Sequence, residues 1–193
     1  SIDGLKYQDI STKSVERLLQ AADFTTVYAF GVAIDGHSFY VVTIKNSNLT
    51  LAYDIREKLW AQWTDADGNY FPFVAAATTS AGVTSLQHES DGYLYTMSST
   101  TYSDNGSPIV SDLYIPQFDG GTKRGKMLSM MLFDADRVEG STLQVRSNDG
   151  DYDTGTWSDF RLVDLGAEVP MLPDEGTFSR RAYHFRHASL TPL

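Results

Sequence analysis

The chain has 193 residues, enough for one large domain, the default, or two small ones, and long enough to bury a real core. It carries 15 basic against 25 acidic residues, a formal charge of −10, which opposes tight non-specific binding to DNA or to anionic lipid. It has no cysteine, so disulfides, thiolate catalysis and cysteine-ligated zinc or iron–sulfur sites are excluded.

The first element is a helix. In "STKSVERLLQAA", Val15, Leu18, Leu19 and Ala22 recur at helical spacing, Ser11 or Thr12 serves as the cap, and Glu16 sits near the positive end. From Phe24 onward the pattern is short β-rich runs between turn residues. "TTVYAFGVAI", "HSFYVVTI" (His37 to Ile44), "LTLAYDI" (Leu49 to Ile55) and "LWAQW" (Leu59 to Trp63) predict a four-strand meander. A second quartet follows at Phe73 to Thr79, Val83 to Ser90, Tyr93 to Ser99 and Ile109 to Ile115. A third runs through Lys126 to Phe133, Thr142 to Ser147, Trp157 to Leu165 and Phe178 to Arg186.

Three groups of four strands predict an all-β fold built from β-propeller-like blades of four antiparallel strands, with one short N-terminal helix. Three blades do not close a ring. Either further blades lie in sequence beyond this chain, forming a partial propeller here, or the sheets pack as a β-sandwich. One propeller-like domain over 1–193 is expected, and the absence of an initiator Met points to a piece of a longer protein. No stretch approaches about 18 continuous apolar residues, so no membrane insertion is expected.

Between the second and third quartets, "TTYSDNGSPIVSDLYIPQF" raises the choice between a ligand loop and a turn. Asn105 and Gly106 tolerate positive φ, the Asp104 side chain bonds nearby amides, and Pro108 withholds a donor at the next strand. These residues predict a hairpin.

A family resemblance enters at "GHSFYVVTIKNSNLTLAYDIREKLWAQW", Gly36 to Trp63. A Gly-His-aromatic strand leads to a Tyr-Asp turn and then a Trp, which resembles the recurring phrase of the tail hub or nozzle proteins of short-tailed bacteriophages, also called packaged-DNA stabilisation proteins. Three further phrases match in the same order: "DIST" with Val15 and Glu16, "YSDNGSPI", and "RSNDG" with Trp157 and "DLG" behind it, closed by "FSRRAYHFR". Where that family has "SDDGG", this chain has Asn148 and the extension "DYDTGT". The family proteins are also longer. The resemblance implies a structural virion protein of the tail below the portal, made in the host cytoplasm, that stabilises packaged DNA and forms part of the genome-ejection channel. It also implies a homo-oligomeric ring of six copies, contacts with portal, adaptor and other tail proteins, and DNA that passes without tight binding. No catalytic residue, no cofactor-binding residue and no metal ligand is assigned.

Two readings from other classes stay open. Asp149, Asp151 and Asp153 alternate in "SNDGDYDTGTW" as in calcium loops, but Thr154 stands where an EF-hand needs Gly and Phe160 where it needs a bidentate Glu. A calcium-stabilised adhesion module is the alternative this motif supports. The same segment loosely resembles the Asp box of sialidase-like propellers, and with Trp60 and Trp63 as stacking platforms it supports a glycan-binding module for host attachment. For each, the plainer expectation is a solvated hairpin tip and core packing. "TDADGNY", with Asp65, Asp67 and Gly68, reads as a turn. His184 and His187, three apart on a strand, point to opposite faces and do not chelate together; His37 and His88 read as hydrogen-bonded structural residues. Arg180, His184 and Arg186 share one face of the last strand, opposite Arg181, Tyr183 and Phe185, and that cationic face either meets an acidic neighbour or is solvated.

Overall fold

The computed structural model describes residues 9–150 and 156–192. They form an all-β fold with a single α-helix among the described residues, and they divide into two compact units, Ser1–Thr101 and Tyr102–Leu193. The all-β expectation and the single N-terminal helix both hold.

In the first unit, α1 (Lys13–Gln20) starts where the Thr12 hydroxyl accepts from the Val15 N–H at 3.3 Å, with Glu16 in the first turn. Its apolar stripe buries Val15 against Ile44, Leu49 and Leu51. The strands β1 (Val27–Ile34), β2 (His37–Ile44), β3 (Leu49–Asp54) and β4 (Leu59–Gln62) pair in chain order as an antiparallel meander. A two-residue turn joins β1 to β2, with Asp35 at φ 51° and Gly36 at φ 77°, the mirror-image turn whose twist matches the strands. All six residues of β3 are buried because both faces are covered. Leu49 and Leu51 face the helix, and Ala52 joins Val32 and Val41 on the other side. There they meet Phe73 and Leu86 from β5 (Phe73–Thr78) and β6 (Thr84–His88), which with β7 (Leu94–Met97) form a three-stranded sheet. Face-to-face packing of this kind is shared by adjacent propeller blades and by sandwich sheets.

The second unit begins with β8 (Ser103–Asp104) and β9 (Ser107–Pro108), a hairpin turned by Asn105 and Gly106 at φ 47° and 92°. It continues with β10 (Ser111–Phe118), β11 (Lys126–Leu132), β12 (Thr142–Asn148), β13 (Arg161–Asp164), β14 (Met171–Phe178) and β15 (Arg181–His187). The four-stranded antiparallel sheet runs β10-β15-β12-β13, and β11 pairs with β14 as a two-stranded ribbon. Leu143, Val145, Val163, Leu165, Leu172 and Tyr183 make its core.

The quartets are therefore assigned differently from the sequence reading in two places. The run Ile109 to Ile115 leaves the second quartet, which stays three-stranded, and pairs as β10 with β15 in the second unit. The third quartet splits between two sheets, because a strand the pattern hides, β14, takes β11 as its partner. Pro173, Asp174 at φ 54° and Gly176 at φ 70° disguise β14 as loop; the same residues shift its register between Leu128 and Met130. Among the described residues no helix is long and apolar enough to cross a membrane.

Candidate functional site

The most concentrated chemistry lies on β15, which is central in its sheet and so has partners on both sides. The register sets Asp112 opposite Arg186, Tyr114 opposite His184 and Arg146 opposite His184, so strand alternation brings all five side chains to one face. His184 is fully buried. Its Nε2 lies 2.6 Å from the Asp112 carboxylate, and its Nδ1 accepts from Arg146 Nε at 2.8 Å. Arg186 grips the same carboxylate through two nitrogens, at 2.8 and 3.1 Å. The Tyr114 ring stacks on the imidazole at 4.0 Å, and Trp157 and Phe160 close in edge-on at 5.9 and 5.2 Å.

This arrangement settles the proton. Because Arg146 only donates, Nδ1 is bare and Nε2 carries the hydrogen, giving a neutral ring. Burial pushes the imidazole below its ordinary value, against the pull of Asp112. Burial alone would raise Asp112, but the hydrogen bonds from Arg186 and His184 outweigh it and hold the carboxyl below the usual range. With both ring nitrogens engaged, His184 offers no lone pair to a substrate. The sequence reading paired His184 and Arg186 on one face, and the structure supplies their acidic neighbour from β10. Arg180 stands outside β15 and is exposed.

The residue on the opposite side, Arg181, is almost wholly buried and makes a bidentate pair with Asp149 at 2.6 and 2.8 Å. It also lies 3.5 Å from the carboxylate of buried Glu175, whose other oxygen accepts from Arg161 at 2.7 Å. The Tyr183 hydroxyl beside them has no hydrogen-bond partner among the described residues, and burial raises its pKa. A groove of about 120 Å³ runs past Arg146, Ser147, Ser158, Arg161 and Glu175. It is well below the roughly 300 Å³ at which small-molecule pockets begin.

Asp149, the first of the three alternating carboxylates, is spent on Arg181. Asp151 and Asp153 lie outside the described residues. Among the described residues no cluster of three or more acidic or imidazole side chains is arranged to hold a metal.

Several polar side chains of the first unit are paired as well. Glu89 accepts from Lys45 at 3.1 and 3.0 Å, from the Tyr70 hydroxyl, and from the Tyr28 hydroxyl at 3.4 Å. Burial, with the Glu89 charge beside it, pushes Tyr28 up to about 12. His37 Nδ1 meets Asp54 at 2.6 Å, and His88 Nδ1 accepts from the amides of Ser90 and Asp91. His187 bonds Ser189 at 2.7 Å and Ser141 at 3.3 Å, on a different set of partners from His184. Asp65 accepts from the amides of Asp67 and Asn69 in a turn closed by a Thr64–Tyr70 bridge, with Gly68 at φ 82°. Trp60 donates to the Ile10 carbonyl at 2.7 Å and packs on Tyr53, while Trp63 is wedged between Phe39 and Phe71. Both rings serve packing.

Asp112, Arg146, Arg161 and Glu175 carry the densest chemistry, and sequence reasoning did not single them out. Their partners lie 72, 38 and 14 residues away, so no local spacing announces them. Comparison of the chain with protein-family models and with curated proteins gives no match.

Proposed function

We propose that this chain is a structural part of a phage virion: a subunit of the tail hub or nozzle below the portal, working by assembly rather than catalysis. The observation that carries the reading is the ordered set of phrases from "DIST" through "GHSFYVV…YDIREKLWAQW" and "YSDNGSPI" to "FSRRAYHFR", spread over nearly the whole chain. The side chains support it. Asp, Arg and His residues that elsewhere run reactions are here locked to fixed partners across strands, which stiffens a sheet without leaving a reactive group.

In this role the chain forms a homo-oligomeric ring of six copies with portal, adaptor and other tail proteins as neighbours. The −10 charge sets how the ring meets the genome: a channel lined by negative charge repels phosphates and lets DNA pass without sticking. The expected result is a closed ring by light scattering, with negligible retention of double-stranded DNA at moderate salt. Tight DNA retention by the assembled ring overturns the channel. A monomer, both for this chain and for the longer protein it resembles, removes the ring.

A further inference from the structure

β10 is an edge strand of its sheet. β10 pairs with β15, and among the described residues no strand pairs with its other edge. A sheet edge presents unpaired N–H and C=O groups that template a further strand, and proteins commonly guard such edges with lysine or inward charge. β10 has no lysine. Its one charge, Asp112, is neutralised by Arg186 and accepts a hydrogen bond from His184 within its own sheet.

The apolar face also runs off this edge unfinished. Leu143 and Val145 on β12, then Tyr183 and Phe185 on β15, form successive rows over the core. The next row is Leu113 and Ile115, opposite Phe185 and Tyr183, yet Leu113 is 60% exposed and Ile115 is 39% exposed.

The geometry points to a second copy of this chain as the occupant, β10 against β10 in antiparallel, about a twofold axis at Tyr114. In that register Leu113 of one copy faces Ile115 of the other and vice versa, which continues the core row. The β-bulge between Ile115 and Phe118 ends the regular ladder there, so the pairing is confined to the stretch around Leu113 to Ile115, where no like charges are opposed. Pro116 withholds one donor from the ladder in each copy, leaving it short. Ile109, Val110, Leu113, Tyr114, Ile115 and Phe118 are each between 39% and 60% exposed but lie on both faces of the chain here, so a β10–β10 pair covers well under the roughly 800 Å² per partner of a standard interface. The pair is accordingly weak and concentration-dependent. It is isologous, whereas a ring below a portal is cyclic, so it uses a surface the ring does not require and stands apart from the tail reading.

The chain has no native cysteine, which makes a crosslinking test clean. Leu113→Cys and Ile115→Cys chains are prepared separately, mixed, and oxidised. Directly opposed strand residues lie within disulfide reach, whereas each position is offset from its own copy, so the mixture yields about tenfold more covalent dimer than either chain alone. Light scattering across a concentration series shows a concentration-dependent doubling in mass of the species the parent chain forms, loss of that doubling in Leu113→Lys, and its retention in Leu162→Lys on the opposite sheet edge. Circular dichroism checks folding of each variant, and the crosslinking arm stands even if Leu113→Lys unfolds. A parent chain monomeric at every concentration, equal crosslinking in all samples, or a folded Leu113→Lys that still dimerises overturns the proposal. A ring that survives Leu113→Lys while the β10 pairing is lost supports the proposal, and the tail assignment then rests on its own test.

Discussion

The two units solve the same problem, burying sheet faces, with different material. The first pairs its strands in chain order and fills its interior with apolar and aromatic side chains: Val41, Ala52, Phe73 and Leu86 at the centre, with Phe39, Trp63 and Phe71 in edge contact around them. The second threads β15 between β10 and β12 and buries Arg181, His184, Glu175 and Asn148 along with its apolar core. The first unit's organisation follows from neighbours in sequence, and the second unit's depends on charges that must find each other across the chain. Local apolar order tolerates change gradually, whereas a buried ionic network fails when one member is removed.

That contrast predicts where the largest loss falls. Arg181→Leu strands Glu175 in the interior with only Arg161 and releases Asp149, and it should cost about 3–5 kcal/mol. Urea unfolding measures it, and a cost below about 1 kcal/mol breaks the comparison by showing the network to be ornamental. The counterpart in the first unit is Phe73→Ala, which removes a ring packed against Phe71, His88 and Tyr95 and should cost about 3 kcal/mol through cavity formation. Amide exchange sharpens the contrast: Phe73→Ala should raise exchange in β5 and β6, and Arg181→Leu in β14 and β15.

Acid should separate the units without mutation. The folded pKa of His184 is depressed by burial below the ordinary imidazole value near 6.5, so the unfolded chain takes up a proton first. Its contribution is complete above about 6.5 and is lost as pH falls below that, and His187, also lowered by burial, acts in the same direction. The shifted carboxylates of the first unit, Asp54, Asp91 and Glu89, lie below their ordinary values and weaken folding only in stronger acid. Between pH 6.5 and 5, exchange in β12 and β15 should therefore rise before that in β2 and β3. His184→Gln should flatten this response, and an unchanged pH profile in that variant would remove the histidine from the account.

The same division decided what the sequence could disclose. The helix, the β1–β4 meander and both tight turns were legible because alternation and positive-φ residues are local signals: Asp35-Gly36 and Asn105-Gly106 announce their own geometry. β14 was hidden because Pro173, Asp174 and Gly176 look like loop, and only pairing with β11 reveals a bulged strand. His37 and His88 were legible as structural residues and His184 and His187 as facing opposite ways, but their partners were not. Nothing near His184 in sequence points to Asp112 or Arg146, and Asp149 resembled a cation ligand until Arg181 was placed against it.

The smallest expected effects come from the two turns and test how far local strain is felt. Gly36 and Gly106 both hold positive φ, at 77° and 92°, and each sits at the second place of a two-residue turn. No atom lies within 4 Å of a Cβ built at Gly106, and only Arg56 Nη1, at 3.8 Å, approaches one at Gly36, so alanine at either site meets backbone strain and no collision. Strain of this kind is worth about 1 kcal/mol. The Gly36 turn anchors eight residue pairs between β1 and β2, so the chain cannot relieve the strain without losing that ladder, and Gly36→Ala should lower global stability by about 1 kcal/mol. The Gly106 turn closes only two pairs, Ser103 with Pro108 and Asp104 with Ser107. That hairpin can open locally while β10 and the sheet behind it stay folded, so Gly106→Ala should cost less than about 0.5 kcal/mol in urea unfolding and appear instead as faster exchange confined to the turn. Equal losses at the two sites would mean that the Asn105-Gly106 turn is held by more than its two-pair ladder and is coupled to the sheet behind it.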